Sequence, residues 1–285
     1  MAEKQILSIR TDMAIESHNF WKGKSGEQGE SPGVLYQREK LFGLDVTEIK
    51  ILNPEGEEAL GKARGTYFSL SLPQIFDRGS LDFTSAVKAV AELIKRFGTA
   101  QYESFLVAAL GNPDISPDAL GSLAAGSILV TRHLDRKTFP QFSSLALCRP
   151  GVLGTSGMES AEQVSKLCEL SRAELVIVID ALAGADADKL CRCIQISDAG
   201  ISPGSGVGND RQELSQKTLG VPVISIGVPT VIDAGHFGGE AFKGMFVTPR
   251  NIDSLVRAGA RLIGYGINMA LHRGLSIGDI DALIG

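Results

Sequence analysis

The sequence lacks the long apolar segments that membranes and secretion require. Nowhere in its 285 residues do about 18 consecutive apolar residues occur, the length a membrane helix needs. The N-terminus, MAEKQILSIRTDMAIE, has no apolar core of a secretory signal. We therefore expect no membrane association and a cytoplasmic location.

Cysteine and histidine are also scarce. The four cysteines form no CxxC pair and are too few for a disulfide scaffold. Cys191 and Cys193 alternate in a predicted strand, where each packs as a small apolar residue. The four histidines are scattered and show no HExxH spacing. The sequence therefore predicts no metal site and no cofactor.

Motifs for nucleophiles and nucleotides are missing too. There is no GxSxG motif and no cysteine at a strand-to-helix elbow. Neither GxGxxG nor the phosphate-binding GxxxxGK[ST] pattern occurs. The net charge of -5 argues against direct binding to nucleic acid. Exclusion leaves carboxylates as the candidate catalytic groups.

The order of apolar segments predicts one α/β domain. Alternating residues at 45–52 and 66–72 indicate half-buried strands at a β-rich N-terminal edge, separated by a turn at NPEGEE. From residue 82 onward, helical periodicity alternates with short apolar strands, which predicts a mostly parallel sheet flanked by helices. The strands are expected at FLVAAL (105–110), SLALC (144–148), LVIVID (175–180) and VPVISIG (221–227).

Local signals predict where several segments begin and end. Residues 18–33 are rich in glycine, serine and charge, which predicts an irregular surface segment. Ser116 and Pro117 are suited to open a helix, with Asp118 in its first turn. Ser156 and Glu159 have capping-box spacing. A long C-terminal helix is predicted to open at Thr248 and Pro249.

Two aspartates stand at the ends of predicted parallel strands. Asp180 closes LVIVID, and Asp118 follows FLVAAL by eight residues. Ligands of parallel sheets bind outside the carboxyl ends of the strands, so both could face one crevice and act as acid and base. Alternatively, Asp118 only stabilises a helix start and Asp180 caps the next helix. Spacing alone does not decide whether they meet.

A glycine-rich loop, ISPGSGVGND, spans residues 201–210. Glycines this dense allow positive φ or the close approach of another backbone, including a peptide substrate. A tight connection without a ligand is the alternative. The residues that we predict to shape a substrate groove are Gly204, Ser205, Gly206, Gly208 and Asn209.

Several long strings resemble the germination protease (GPR endopeptidase) family of spore-forming bacteria, nearly end to end. The strings that carry the resemblance are IRTDMAIE (9–16), GNPDISPDALG (111–121), VTRHL (130–134), PGVLGTSGMES (150–160), VIDALA (178–183), the stretch from DAGISPGSGVGNDRQ to VPTVIDA (198–234), FVTPRNID and IGYGINMALH.

The resemblance implies an activity and site residues. It implies an endopeptidase of small acid-soluble DNA-binding spore proteins in the spore core, aspartic-type, with Asp118 and Asp180 as the catalytic pair. It implies a zymogen that cuts itself at Asp12–Met13, so that residues 1–12 are a propeptide and 13–285 the peptidase domain. It further implies a homotetramer and a sheet similar to that of hydrogenase maturation proteases.

Two other functions remain open at this point. One is a metal-dependent maturation-type protease on the same sheet, and the other is a non-catalytic binder of a spore protein. If either aspartate is structural, Asp198 and Asp233 are the next carboxylates to consider.

Overall fold

A mixed β-sheet forms the centre of the protein. The computed structural model describes residues 10–25, 31–73, 81–208 and 211–284. Over these residues the strand order is β1-β2-β3-β7-β8-β6-β4-β5, with β9 paired to β8. The strands are β1 (Val34–Leu41), β2 (Leu44–Ile51), β3 (Gly65–Ser71), β4 (Ser104–Ala109), β5 (Ser144–Cys148), β6 (Leu175–Gly184), β7 (Cys193–Ser197), β8 (Val223–Asp233) and β9 (Phe246–Val247).

Helices cover both faces of this sheet. They are α1 (Ala14–Ser25), α2 (Pro54–Leu60), α3 (Leu81–Lys95), α4 (Leu120–Ala124), α5 (Leu153–Ser156), α6 (Ser160–Ser171), α7 (Gln216–Leu219), α8 (Gly235–Gly238), α9 (Ile252–Leu271) and α10 (Ile277–Ile284). Within the described residues, no helix combines the length and apolarity needed to cross a membrane.

The sheet has a parallel half and an antiparallel half. Strands β5, β4, β6 and β8 pair in parallel. Strands β1, β2, β3 and β7 pair antiparallel, and β7 joins the two halves through β8. The predicted α/β class, with helices on both faces and a β-rich N-terminal edge, is confirmed. Strand β7, which begins at Cys193 of the strand predicted around the two cysteines, belongs to the antiparallel half, and this direction was not predicted.

The five apolar residues in a row in LVIVID belong to strand β6, which is buried on both faces. Residues 175–179 are each no more than 1% exposed. Ile177 and Ile179 pack in the core with α3 and α9 on one face, while Val176 and Val178 pack with α6 on the other. Because both faces of this parallel strand are covered, its sequence does not alternate.

The N-terminal part is more regular than predicted. The expectation of an irregular segment at 18–33 is wrong over α1, while residues 26–30 lie outside the described part. Met13 and Ala14 are fully buried in a cluster with β1, β2 and β3, and these residues anchor the helix to the sheet. His18 is buried and stacks on Tyr36 with ring centroids 4.5 Å apart. The apolar residues that anchor the helix, Met13 and Ala14, come before the polar stretch. The composition of residues 18–33 therefore gave no indication of a helix.

Several predicted boundaries are also wrong. Ser156 ends α5 instead of capping α6, whose N-cap Glu159 makes no side-chain capping bond. Helix α9 begins at Ile252 after Asn251, later than Thr248. The predicted NPEGEE turn is helix α2, because Asn53 accepts a hydrogen bond from the Gly56 N–H at 3.0 Å. Cys191 precedes β7 and does not lie in it.

Candidate active site

Asp180 lies inside strand β6 and not at its end. The strand continues to Gly184, with a register shift against β8 between Leu182 and Ala183. The prediction that the strand stops at the carboxylate is therefore wrong. The Asp180 side chain is only 5% exposed, and it accepts a hydrogen bond from the N–H of Ala181 at 2.9 Å. A carboxylate in this position needs a functional or electrostatic explanation.

Asp118 lies in the connection from β4 to α4. It ends a 3₁₀ turn at Ser116–Asp118, and α4 begins only at Leu120, so the predicted helix from Ser116 is much shorter. The Asp118 carboxylate accepts a hydrogen bond from the N–H of Asn112 at 2.8 Å. Gly111 permits this turn, since its φ is +96° and a Cβ there would lie 1.9 Å from the Asp118 carbonyl oxygen.

The two aspartates line the same groove, which we call the aspartate groove. Its volume is about 490 Å³. Apolar side chains of Ile115, Val152 and Phe246 line its walls beside the carboxylates. The structure thus brings together the two aspartates that the sequence analysis paired, although 62 positions (180 − 118) separate them along the chain.

Their electrostatics differ. Burial raises the pKa of Asp180 well above its usual range, and the charge of Asp118 raises this pKa further. Burial also raises the pKa of Asp118, but the N–H of Asn112 opposes that shift by stabilising the carboxylate. The pKa of the more deeply buried Asp180 is therefore raised more than that of Asp118, so Asp118 is the member that ionises first. One acid and one base in a single groove can together activate water and protonate a substrate.

The glycine-rich loop borders the aspartate groove. Gly204 and Gly206 line it, and the Ser205 hydroxyl donates a hydrogen bond to Asp12 Oδ1 at 2.9 Å. A Cβ on Gly206 would lie 2.2 Å from Asp12 Oδ2, and one on Gly208 would lie 3.0 Å from the Arg10 guanidinium. The loop thus closes on side chains of the segment at Arg10 and Asp12, and Gly204 and Gly208 adopt the positive φ that was one prediction, at +76° and +75°. Asn209 lies outside the described residues.

That segment is the protein's own N-terminal stretch. The N–H of Asp12 donates to the carbonyl oxygen of Ala183 at 2.8 Å, and the N–H of Ala183 donates to Asp12 Oδ2 at 2.8 Å. Lys62 Nζ donates to the carbonyl oxygen of Thr11 at 2.6 Å. The predicted cleavage position, Asp12–Met13, therefore lies against β6 just beyond Asp180, and Asp12 itself lines the aspartate groove.

Sequence reasoning missed two polar residues beside this segment. Gln195 Nε2 donates to the Asp12 carbonyl oxygen at 3.0 Å, and Gln195 Oε1 accepts from the Ala14 N–H at 2.7 Å. Lys62 is the other, and burial lowers the pKa of its ammonium while Asp12 and Glu16 oppose that shift. The one indication of Gln195 in the sequence is its position as a single glutamine between two isoleucines in CIQIS, where a buried polar side chain needs hydrogen-bond partners.

The reserve carboxylates lie elsewhere. Asp198 accepts a hydrogen bond from the N–H of Thr66 at 2.6 Å and lines a separate cavity. Asp233 is 4% exposed and accepts from the N–H groups of Gly235 and Gly244, which holds the loop after β8. Within the part of the chain that the structure describes, no three His, Cys, Asp or Glu side chains are grouped to hold a metal ion.

Comparison with known proteins gives consistent matches. The germination protease family matches residues 11–243. A germination protease of Caldanaerobacter subterraneus subsp. tengcongensis is 36% identical over 326 residues, covering 98% of this chain and 99% of that protein. One from Clostridium perfringens is 34% identical, covering 98% and 100%. One from Bacillus cytotoxicus is 36% identical, covering 83% of this chain and 70% of that protein.

A solved structure is also similar. It is a [NiFe] hydrogenase maturation protease from Thermococcus kodakarensis, with a TM-score of 0.36 and 16% sequence identity. The match covers 61% of this chain and 99% of that chain.

Proposed function

Because this chain belongs to the germination protease family, we propose that it is an endopeptidase that degrades small acid-soluble DNA-binding spore proteins in the spore core during germination. The observation that carries the proposal is the pair of aspartates in one groove with unequal tendencies to ionise. The proposed mechanism is aspartic-type, with Asp118 as the base and Asp180 as the acid.

The chemistry follows from the protonation of the pair. Ionised Asp118 removes a proton from a water molecule, which attacks the carbonyl carbon of the scissile peptide bond. Protonated Asp180 donates its proton to the carbonyl oxygen. Collapse of the tetrahedral intermediate returns that proton to Asp180, and Asp118 gives its proton to the departing amine nitrogen. Atoms and charges balance, and the pair regains its starting state.

The same groove accounts for the proposed processing of the chain. We propose that the zymogen cuts itself at Asp12–Met13, releasing residues 1–12 and leaving a single peptidase domain of residues 13–285. Asp12 already lines the aspartate groove and is hydrogen-bonded to β6 and to the glycine-rich loop. The proposal includes a homotetramer, no cofactor, and no direct contact of the enzyme with nucleic acid.

The first test is cleavage of a purified small acid-soluble spore protein by the wild type, Asp118→Asn and Asp180→Asn. We expect each substitution to lower the rate by roughly 10²–10⁴-fold, the contribution typical of a positioned acid or base. Asp114→Asn is the matched control, since Asp114 is exposed in the same loop as Asp118. Circular dichroism establishes that each variant is folded.

The outcomes separate the competing functions. Substantial activity in Asp118→Asn would make that residue structural and contradict the proposed pair. Loss of wild-type activity on adding EDTA would favour a metal-dependent protease. Tight binding of the spore protein without any cleavage by the wild type would identify a non-catalytic binder.

A further inference from the structure

One buried side chain contacts the main chain on both sides of the Asp12–Met13 bond. Gln195 is 7% exposed and projects from β7. Its Nε2 donates to the Asp12 carbonyl oxygen at 3.0 Å, and its Oε1 accepts from the Ala14 N–H at 2.7 Å. Because both ends of the amide are used, Gln195 fixes the position and the direction of the bound segment.

The carboxylate of Asp12 has its own pocket. The Ser205 hydroxyl donates to Oδ1 at 2.9 Å, and the Ala183 N–H donates to Oδ2 at 2.8 Å. Gly206 forms the wall, since a Cβ there would lie 2.2 Å from Oδ2. Two donors, one for each oxygen, fit a group that only accepts hydrogen bonds.

The register of the sheet relates this pocket to the aspartates. Gln195 and Asp180 both pair with Gly227 of β8, so they occupy one row across the sheet, two strands apart. Their Cα atoms are therefore separated by about 10 Å, twice the strand spacing. Gly227 has no side chain, and Leu182 lies over it, because a Cβ there would be 2.5 Å from Leu182 Cγ. A peptide held at Gln195 reaches Asp180 in about three extended residues.

Two cavities meet at the same place. The aspartate groove and a second cavity of about 430 Å³ share Asp12, Leu182 and Gly206 in their linings. Gln195 and Lys62 line the second cavity. The bound N-terminal segment therefore passes between two open spaces, as a longer peptide would.

We propose that Gln195, Ser205 and the main-chain N–H of Ala183 form the peptide-binding subsite of this enzyme. Gln195 Nε2 holds the carbonyl oxygen of the bond to be cut, while Ser205 and the Ala183 N–H select an acidic residue immediately before that bond. Residues 10–12 are the first occupant. After processing, Met13 and Ala14 stay in the core, and a substrate segment takes the place of residues 10–12. This inference rests on the proposed endopeptidase function.

The selection has a physical basis. An asparagine in place of the aspartate has one orientation that fits, with its NH₂ group toward the Ser205 hydroxyl, because the Ala183 N–H can only donate. Even in that orientation the charge is lost, so both bonds become neutral ones of about half the strength. A site built this way rejects an analogue that lacks the matching group more strongly than an apolar pocket does.

The test uses the peptide SIRTDMAIES, which copies residues 8–17, and its Asp→Asn analogue. The processed enzyme, obtained from the full chain, is assayed as wild type, Ser205→Ala and Gln195→Met. For Ser205→Ala we expect the preference for the aspartate peptide, measured as kcat/KM, to fall about tenfold, the size of one charge-assisted hydrogen bond. For Gln195→Met we expect kcat/KM to fall at least tenfold for both peptides alike, with part of the loss in kcat because the bond is misaligned.

Matched controls are available for both substitutions. Gln37→Met changes an exposed glutamine of β1, and Ser171→Ala changes a serine at the end of α6. Both are expected to leave the peptide preference and kcat/KM unchanged. If Ser205→Ala keeps the wild-type preference, or if Gln195→Met behaves like Gln37→Met, the subsite is wrong even though the protease function stands.

A second measurement keeps the inference testable if cleavage is absent. Binding of both peptides is measured by calorimetry on a chain that starts at Met13 and carries Asp180→Asn. Tighter binding of the aspartate peptide, lost in Ser205→Ala, supports the subsite. Equal binding of the two peptides overturns it. A wild type that binds selectively but never cuts would overturn the proposed function alone.

Self-cleavage of the full chain provides an internal check. Asp12→Asn and Ser205→Ala are combined in a double-mutant cycle, with mass spectrometry of the released N-terminal fragment. Because the two side chains contact each other, we expect Asp12→Asn to slow cleavage strongly in the wild type and only weakly in Ser205→Ala. Additive effects would contradict the contact as the basis of recognition.

Discussion

Asp180 combines a proposed chemical role with a cost in stability. Burial raises its pKa in the folded protein, so the folded state binds this proton more tightly than the unfolded chain does. The stability from this group is full below the unfolded pKa, about 4, and is lost as the pH rises through the raised folded pKa. At neutral pH the Asp180 carboxyl therefore lowers the free energy of unfolding, and an uncharged side chain would remove this cost.

We expect Asp180→Asn to lower the cleavage rate by roughly 10²–10⁴-fold and yet stabilise the protein at neutral pH. A gain of about 0.5–2 kcal/mol in unfolding free energy is typical when a functional site is relieved in this way. Urea denaturation at several pH values measures it. The gain should shrink as the pH falls toward 4. A gain that is constant with pH would contradict the electrostatic explanation.

The charge state of one aspartate should also change the pKa of the other. The charge of Asp118 contributes to the raised pKa of Asp180, so Asp118→Asn should lower that pKa. NMR of ¹³C-labelled aspartate carboxyls measures the shift directly. In the wild type, activity should fall at low pH as Asp118 is protonated and at high pH as Asp180 is ionised. An unchanged Asp180 titration in Asp118→Asn would contradict their proximity.

At the scale of elements, a close contact holds α4 against the two strands that lead to the aspartates. A Cβ on Gly121 would lie 2.4 Å from the Leu110 carbonyl oxygen and 2.6 Å from that of Ile179. Leu110 follows β4, and Ile179 precedes Asp180 on β6. The absence of a side chain at Gly121 therefore determines how Asp118 approaches Asp180.

Gly121→Ala should push α4 away from the sheet. We expect it to destabilise the protein by about 1–3 kcal/mol, as overpacking does, and to lower the cleavage rate by displacing Asp118. Gly126→Ala is the control, because nothing lies within 4 Å of its added Cβ. Thermal unfolding and the peptide assay are measured for both. Equal effects of the two substitutions would show that the contact with the strand carbonyls is unimportant.

The sequence predicted the strands better than the ends of the helices. SLALC coincides with β5, and FLVAAL overlaps β4, because buried parallel strands are short apolar runs with clear limits. The helix starts predicted at Ser156 and Thr248 are wrong, because these side chains make other hydrogen bonds. The Ser156 hydroxyl donates to the Val152 carbonyl oxygen, and the Thr248 hydroxyl donates to that of Thr230. The Ser156 bond is made within the turn that forms α5, whereas the Thr248 bond is a tertiary contact that local spacing does not show.

The candidate site was predictable in part. Asp118 follows β4 and Asp180 lies on the adjacent strand β6, and ligand-binding side chains are expected near the carboxyl ends of neighbouring parallel strands. The partners of Gln195 were not predictable, because they are main-chain groups about 180 residues away, at Asp12 and Ala14. A side chain that recognises backbone carries no compositional signal about what it binds.

At the scale of the whole molecule, the N-terminal segment is divided at Asp12–Met13. Met13 and Ala14 belong to a core cluster with β1, β2 and β3, whereas Asp12 is held by hydrogen bonds to β6 and the glycine-rich loop. A chain that starts at Met13 should therefore stay folded and lose only the contacts at the groove.

Hydrogen exchange can check this division. The Ala183 N–H is bonded to Asp12, so its exchange should accelerate strongly in a chain that starts at Met13. The Leu110 N–H is bonded to the Ile179 carbonyl oxygen at 2.9 Å and provides the internal control. Acceleration at both amides would mean that the whole sheet loosens, which the core position of Met13 argues against.

The register shift in β6 has a consequence for self-association. Proteins that capture peptides by adding a strand usually leave a sheet edge open, and such an edge also invites copies of the same protein to stack. Here Asp12 bonds to both main-chain groups of Ala183, beside the register shift between β6 and β8 and beyond the last β6 residue that pairs with β4. Residues 180–184 are therefore a short and irregular edge. Short edges and bulges both limit the addition of further copies strand by strand.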